Sequence, residues 1–192
     1  MAAEIKSLSL ENGLSGSLAF TDLDGGHIGA GTGYQLSLYS TWNIKKDWDL
    51  SISVQKVVLE QSLYTRADLS STDSVEHLQQ KWTLVGVGAQ WSEDFWFYEY
   101  QGGIAIGDNS QIGIDTESGT ANTRTNASAR TTNFFYVGAS IGYQKEFNKN
   151  WNIISRLQSF FILNTIYKTD GYDDNYFTVL PFLFSVGAEY NY

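Results

Sequence analysis

Cysteine is absent from the 192 residues. The chain therefore carries no disulfide, no thiolate metal site and no thiol redox motif. Proline occurs once, at Pro181, so extended segments can run long without interruption. No apolar run approaches the roughly 18 to 20 residues that a membrane-crossing helix needs, which excludes a helical membrane protein. Histidine occurs twice, at His27 and His77, which leaves little material for general-base chemistry. Positive charge is sparse: 12 Lys and Arg face 21 Asp and Glu, for a net charge of −9. Such an excess repels nucleic acid, so no nucleic-acid partner is expected. The start, Met1-Ala-Ala-Glu-Ile-Lys6, has no basic-then-apolar leader and reads as a mature chain with an initiator Met.

Aromatic residues are plentiful instead: 11 Phe, 12 Tyr and 6 Trp. Hydrophobicity alternates rather than clusters. Leu180, Phe182, Phe184, Val186, Ala188, Tyr190 and Tyr192 share one parity, and Ser185, Gly187, Glu189 and Asn191 the other. A period of two is that of a β-strand with one apolar and one polar face. The closing octet, Ser185-Val-Gly-Ala-Glu-Tyr-Asn-Tyr192, ends on a large aromatic. It resembles the C-terminal signal by which the bacterial outer-membrane assembly machinery recognises β-barrel clients. That resemblance makes Ser185, Gly187, Tyr190 and Tyr192 the assembly signal and turns the apolar parity toward lipid.

Three short polar turns recur beside Trp or Phe: Asn43-Ile-Lys-Lys-Asp-Trp48, Trp91-Ser-Glu-Asp-Phe-Trp96 and Phe147-Asn-Lys-Asn-Trp151. Alternating residues flank each, as in a β-hairpin. Four longer segments, 21–32, 67–77, 108–130 and 169–175, are rich in Gly, Asp, Ser, Thr and Asn and read as loops. Three turns and four loops join eight strands, estimated at 7–20, 33–45, 48–66, 78–92, 95–107, 131–147, 151–168 and 176–192. The excess length of strands three, seven and eight is expected to project past the membrane as an exposed sheet wall. Trp82 and Leu84 oppose the parity of Val85 and Val87, and Lys56 falls on the outward parity of strand three; a bulge would repair either. Pro181 lacks a ladder N–H, so a bulge or local unpairing is expected there.

With short turns at one end, long loops at the other and alternating faces, the chain resembles the small eight-stranded outer-membrane barrels, such as the OmpA transmembrane domain and OmpX. The resemblance spans nearly the whole chain, residues 1–192, as a single domain. It implies an all-β, antiparallel, up-and-down transmembrane barrel with periplasmic turns and extracellular loops. It implies outer-membrane lipids and lipopolysaccharide as surroundings, the barrel-assembly machinery as a transient partner, and a monomer. It brings no catalytic motif and no cofactor.

Parity aims Glu11, Glu99, Glu146, Arg156 and Glu189 into the lumen, where charges must pair or change protonation. These are expected to form a structural network, with Arg156 meeting at least one of Glu99, Glu146 and Glu189. The carboxylates assigned to the loops, offset by Arg124 and Arg130, account for the whole net charge of −9. Among them Asp22, Asp24, Asp170, Asp173 and Asp174 are candidate cation ligands, although neither run has the spacing of a twelve-residue calcium loop. An enzyme would have to use His27 or His77 with neighbours such as Ser71 and Asp73, in the manner of lipid A-modifying or proteolytic barrels. Phe134, Tyr136, Phe177, Val179 and Leu183 could line an apolar upper lumen, as passive uptake of small apolar molecules by an OmpW-like barrel would require. The favoured reading is a non-enzymatic surface protein that serves envelope structure, adhesion or partner binding through its loops and protruding strands.

Overall fold

The computed structural model describes residues 5–17, 20–21, 27–28, 31–64, 74–116, 127–128, 134–162, 166–167, 175–176 and 181–192. Eight long strands succeed one another within them. They are β1 (Ile5–Ser17), β2 (Gly31–Lys45), β3 (Trp48–Tyr64), β4 (Ser74–Glu93), β5 (Trp96–Thr116), β6 (Phe134–Asn148), β7 (Trp151–Ile162) and β8 (Pro181–Asn191). Each pairs antiparallel with its neighbours in sequence, and β8 pairs with β1, so the sheet closes on itself.

Closure sets the stagger. A line of paired residues leaves β4 at Trp82 and runs through Val57, Gln35, Gly13, Ser185, Arg156, Gly142 and Phe97. It returns to β4 at Ser92, ten residues nearer the turn end. Such a stagger tilts the strands, and eight tilted strands enclose a bore that side chains can fill.

The three tight turns form where expected. Asp47 and Asp94 adopt positive φ angles of 67° and 54°, which aspartate tolerates better than most residues. In the third turn the Asn148 side-chain oxygen accepts hydrogen bonds from the backbone N–H groups of Asn150 (3.0 Å) and Trp151 (3.1 Å).

A projecting wall is built by β3, β4 and β5, which span 17, 20 and 21 residues. Among the described residues β7 and β8 cover Trp151–Ile162 and Pro181–Asn191, and beyond them Ile166–Tyr167 pairs antiparallel with Asn175–Tyr176. Among the described residues β5 and β6 pair as far as Ala105 and Phe134, Ala127–Ser128 pairs with β5 further up at Gln111 and Ile112, and β4 and β5 stay paired up to Ser74 and Thr116. The polar run 108–116 reads as loop by composition. Its backbone is held as strand by the facing residues 74–79, and a bulge between Gln79 and Lys81 absorbs the mismatch. His77 consequently lies within β4, opposite Ser62 and Gly113, rather than in a loop. Glu76, Asp108 and Asp115 likewise lie in strands.

The outer surface is apolar. Leu10, Leu14, Leu36, Leu38, Val54, Val87, Ile104, Val137, Leu157, Phe184 and Val186 are all exposed, while Ser, Gln, Glu and Arg side chains are buried. Folding in water produces the reverse arrangement. Near the turn end the outward residues become aromatic, with Trp91 stacked on Tyr98 and edge-to-face contacts for Trp96–Tyr143, Trp151–Tyr190 and Tyr190–Tyr192. No helix among the described residues is long and apolar enough to cross a membrane.

Three irregularities resolve without the expected bulges. Trp82 and Leu84 simply point inward, both buried, and share their parity with Gly86, Gly88 and Gln90. Lys56 remains outward and exposed, paired in register with Leu36 and Thr83. Pro181 opens β8 opposite Ser17, with no register shift between β1 and β8. The first position of a strand is where a missing N–H is tolerated.

Candidate functional site: the barrel lumen

The inward faces of the strands repeat one vertical order. Above the turns, β7 presents Ile154, Arg156, Gln158, Phe160 and Ile162, all buried; β5 presents Phe97, Glu99, Gln101 and, further up, Ala105. On β3 the order is Asp49, Ser51, Ser53, Gln55 and Val57, and on β8 it is Glu189, Gly187, Ser185 and Leu183. From Arg156, Glu99, Asp49 and Glu189 upward, charged and hydroxyl groups give way to amides and then to apolar side chains, with Ile154 and Phe97 packed beneath the charges on their own strands.

Arg156 is the centre of the charged layer. Its Nε donates to both oxygens of Glu11, at 3.1 and 3.2 Å, and Nη2 lies 3.1 Å from Glu11 Oε1. On the other side Nη1 donates to Glu99 Oε2 and, at 3.2 Å, to Ser140 Oγ. The arginine thus bridges across β8 to β1 and across β6 to β5. The intervening strands supply hydroxyls: Ser185 donates to Glu11 Oε2 at 2.6 Å, and Ser140 to Glu99 Oε2 at 3.3 Å. Ser51 donates to Glu99 Oε1. The guanidinium carbon sits 3.8 Å from the Tyr39 ring centroid and 4.7 Å from that of Phe97, a cation–π clamp on a fully buried arginine. Room for this comes from inward glycines. A Cβ on Gly142 would overlap the Phe97 ring, and one on Gly88 would press on Ser51 Oγ at 2.6 Å and Glu99 Oε1 at 2.8 Å.

A second group lies nearer the turns. Glu189 accepts hydrogen bonds from Ser7 Oγ (2.6 Å) and Asn152 Nδ2 (2.8 Å), and Lys6 pairs with buried Asp49 at 2.5 Å. Above the arginine, Tyr39 donates to Gln158 Oε1 at 3.1 Å, and Ser53 and Gln55 donate to Gln101 Oε1 at 3.0 and 3.2 Å. Gln35, Ser37, Gln55, Gln101 and Gln158 each retain one buried side-chain atom without a protein partner. Higher still, Val57, Trp82, Leu84, Ala105, Tyr136, Phe160, Ile162 and Leu183 form one apolar cluster across the bore.

Of the residues read as a lumen network, the structure brings together Glu11, Glu99 and Arg156 directly. Glu189 is buried in the separate lower group. Glu146 is a correction: it is exposed, two residues from the end of β6 beside the register shift at Trp151 and Asn152, where the bore opens. Ser185 lies inward beneath Leu183, Gly187 is paired opposite Glu11, and Tyr190 and Tyr192 stand in the aromatic ring. Phe177, Val179, Asp22, Asp24, Asp170, Asp173, Asp174, Ser71 and Asp73 lie outside the described residues. Among the described residues no cluster of His, Asp and Glu could hold a metal ion. Sequence reading missed Tyr39 and Phe97 as partners of Arg156, although the parity of β2 and β5 turns both inward. It also missed Lys6 with Asp49, because Lys6 precedes the estimated start of the first strand.

No protein-family model matches this sequence, and no curated protein matches it. Solved structures do resemble it. The outer-membrane protein OprG from Pseudomonas aeruginosa is 12% identical over 97% of this chain and 96% of that one, with a TM-score of 0.55. Neisserial surface protein A is 10% identical over the whole of both chains, with a TM-score of 0.50. Ail, the attachment invasion locus protein of Yersinia pestis, solved with the heparin analogue sucrose octasulfate, is 14% identical over the whole of both chains at 0.50. The chain has the fold of the small eight-stranded outer-membrane barrels.

Proposed function

We propose that this chain is a non-enzymatic integral outer-membrane protein whose barrel is a closed anchor, and that it acts through partner binding at the loop end. The observation that carries this reading is the filled bore. The Arg156 network closes the lower lumen and the apolar cluster around Trp82, Leu84, Phe160 and Leu183 closes the upper. The apolar outer wall fits lipid and the aromatic ring fits an interface, with Gln and Ser kept inside.

Support for binding at the loop end comes from β3, β4 and β5, which stay paired as far as Tyr64, Ser74 and Thr116 and offer a raised sheet. Strand surfaces of this kind recognise partners through backbone pairing and alternate side chains. In this reading the long connections carry Asp22, Asp24, Asp170, Asp173 and Asp174 outward and favour cations or a basic partner over nucleic acid. Lipopolysaccharide surrounds the wall, the assembly machinery reads the terminal strand, and the barrel is a monomer.

Planar-bilayer recording beside a lipid A acylation assay tests the proposal. The expected result is no steady conductance and unchanged lipid A. A steady conductance would move the chain to passive transport, and altered acylation would make it an enzyme.

A further inference from the structure

Just inward of the aromatic pair Trp151 and Tyr190, the outward surface dips. The outward row of β8 reads Phe182, Phe184, Val186, Ala188 and Tyr190, and Ala188 is its smallest member. A shallow notch of about 430 Å³ opens there, lined by Phe147, Asn148, Trp151, Asn152, Ile153 and Ala188. The register explains its position. Ala188 pairs with Ile153 and Ile153 pairs with Lys145, so three outward residues lie in line across β8, β7 and β6.

The charge around the notch is one-sided. Lys145 is exposed on the outward face at one end of that line, and Lys149 is exposed in the adjoining turn. The carboxylates nearest in sequence are on the other parity: Glu189 is buried against Ser7 and Asn152, and Glu146 lies at the mouth of the bore. An apolar floor at the depth of an aromatic ring, with two ammonium groups at its rim, matches an amphiphile with an anionic head and an alkyl tail.

We infer that this notch is a binding site for one phospholipid of the leaflet at the turn end, with preference for a net anionic headgroup. An acyl chain lies on Ala188 and Ile153 between Phe147 and Trp151, and the phosphate sits by Lys145 and Lys149. The inference rests on the membrane reading above and adds a specific lipid contact to it. Each lysine near an anionic headgroup strengthens binding severalfold, so the pair accounts for a preference of about tenfold or more.

The test uses the full chain, isotope-labelled and refolded in zwitterionic micelles, with backbone amide spectra recorded as short-chain phosphatidylglycerol is added. The expected result is saturable shifts confined to residues 145–153 and 186–190, with a much weaker response to phosphatidylcholine. K145Q/K149Q should weaken the apparent affinity for phosphatidylglycerol about tenfold. Ala188→Leu, which fills the notch from the lipid side, should abolish the saturable shifts while leaving a dispersed, folded spectrum. Equal shifts around the whole ring, including Trp48 and Trp96, would overturn the site, as would equal responses to the two lipids. A chain that folds and stays soluble without micelles would instead sink the membrane reading itself, an outcome distinct from a micelle-folded barrel that ignores the anionic lipid.

Discussion

Arg156→Ala is the most informative perturbation of the barrel. It removes the cation between Glu11 and Glu99, whose side chains are both fully buried, and empties the slot between Tyr39 and Phe97. Four hydroxyls, from Ser9, Ser51, Ser140 and Ser185, would remain on the carboxylates, but no positive charge would. Breaking a buried pair by removing one partner typically costs about 3 to 5 kcal/mol. The lost stacking on two aromatic rings adds on the order of 1 to 2 kcal/mol. The sum is not additive, because the same guanidinium makes every contact, so a total of about 4 kcal/mol is expected. Replacing all three charges, as E11Q/E99Q/R156M, should recover much of that loss, since no unpaired charge is then buried. The assay is urea unfolding in lipid vesicles followed by tryptophan fluorescence, which the 6 Trp make sensitive. A loss below about 1 kcal/mol for Arg156→Ala would refute the reasoning, because it would mean that water already screens the network.

Trp82→Ala should cost about 3 to 5 kcal/mol in the same assay, as expected for a large side chain deleted from the apolar cluster; a neutral result would mean the upper bore is loosely packed. Deleting residues 190–192 removes the T-shaped Tyr190–Tyr192 pair and the Trp151 contact, and should lower the amount of heat-modifiable barrel in outer-membrane fractions severalfold. Because the chain lacks cysteine, Lys46→Cys and Lys149→Cys each introduce a single thiol; both should resist a membrane-impermeant maleimide on intact cells and react after permeabilisation. Labelling on intact cells would invert the barrel. Changing His27 and His77 together to Ala should leave any lipid A or peptide conversion at background, and activity that disappears with the pair would reverse the non-enzymatic reading.

Faces were more legible than lengths. Parity alone turns Glu11, Glu99, Arg156 and Ser185 inward and Leu36, Val137 and Phe184 outward, because a strand admits only two facings and one face must meet an apolar medium. Trp82 and Leu84 misled because a bulge was invoked to turn them outward, whereas they fill the upper bore beside Tyr136 and Leu183, which parity already turns inward. The wall of β4 and β5 was hidden by composition. Asp108, Gly113 and Asp115 belong to loop chemistry when read locally, and the facing strand holds them extended through Lys81, His77 and Val75.

The sequence by itself determined the strand count, the three tight turns and the sidedness of most strands, because all three depend on neighbours at most a few residues apart. Only the tertiary structure decided which inward charges stand level with one another. Read from the sequence, the expected contacts of Arg156 are Glu99, Glu146 and Glu189, and not Glu11. The ten-residue stagger instead lifts β1 against β7 until Glu11 meets the guanidinium, leaves Glu189 a layer below, and puts Glu146 at the open mouth. That stagger is a property of closure. A closed sheet must join its last strand to its first at one register, and all eight strand pairings must agree on it together.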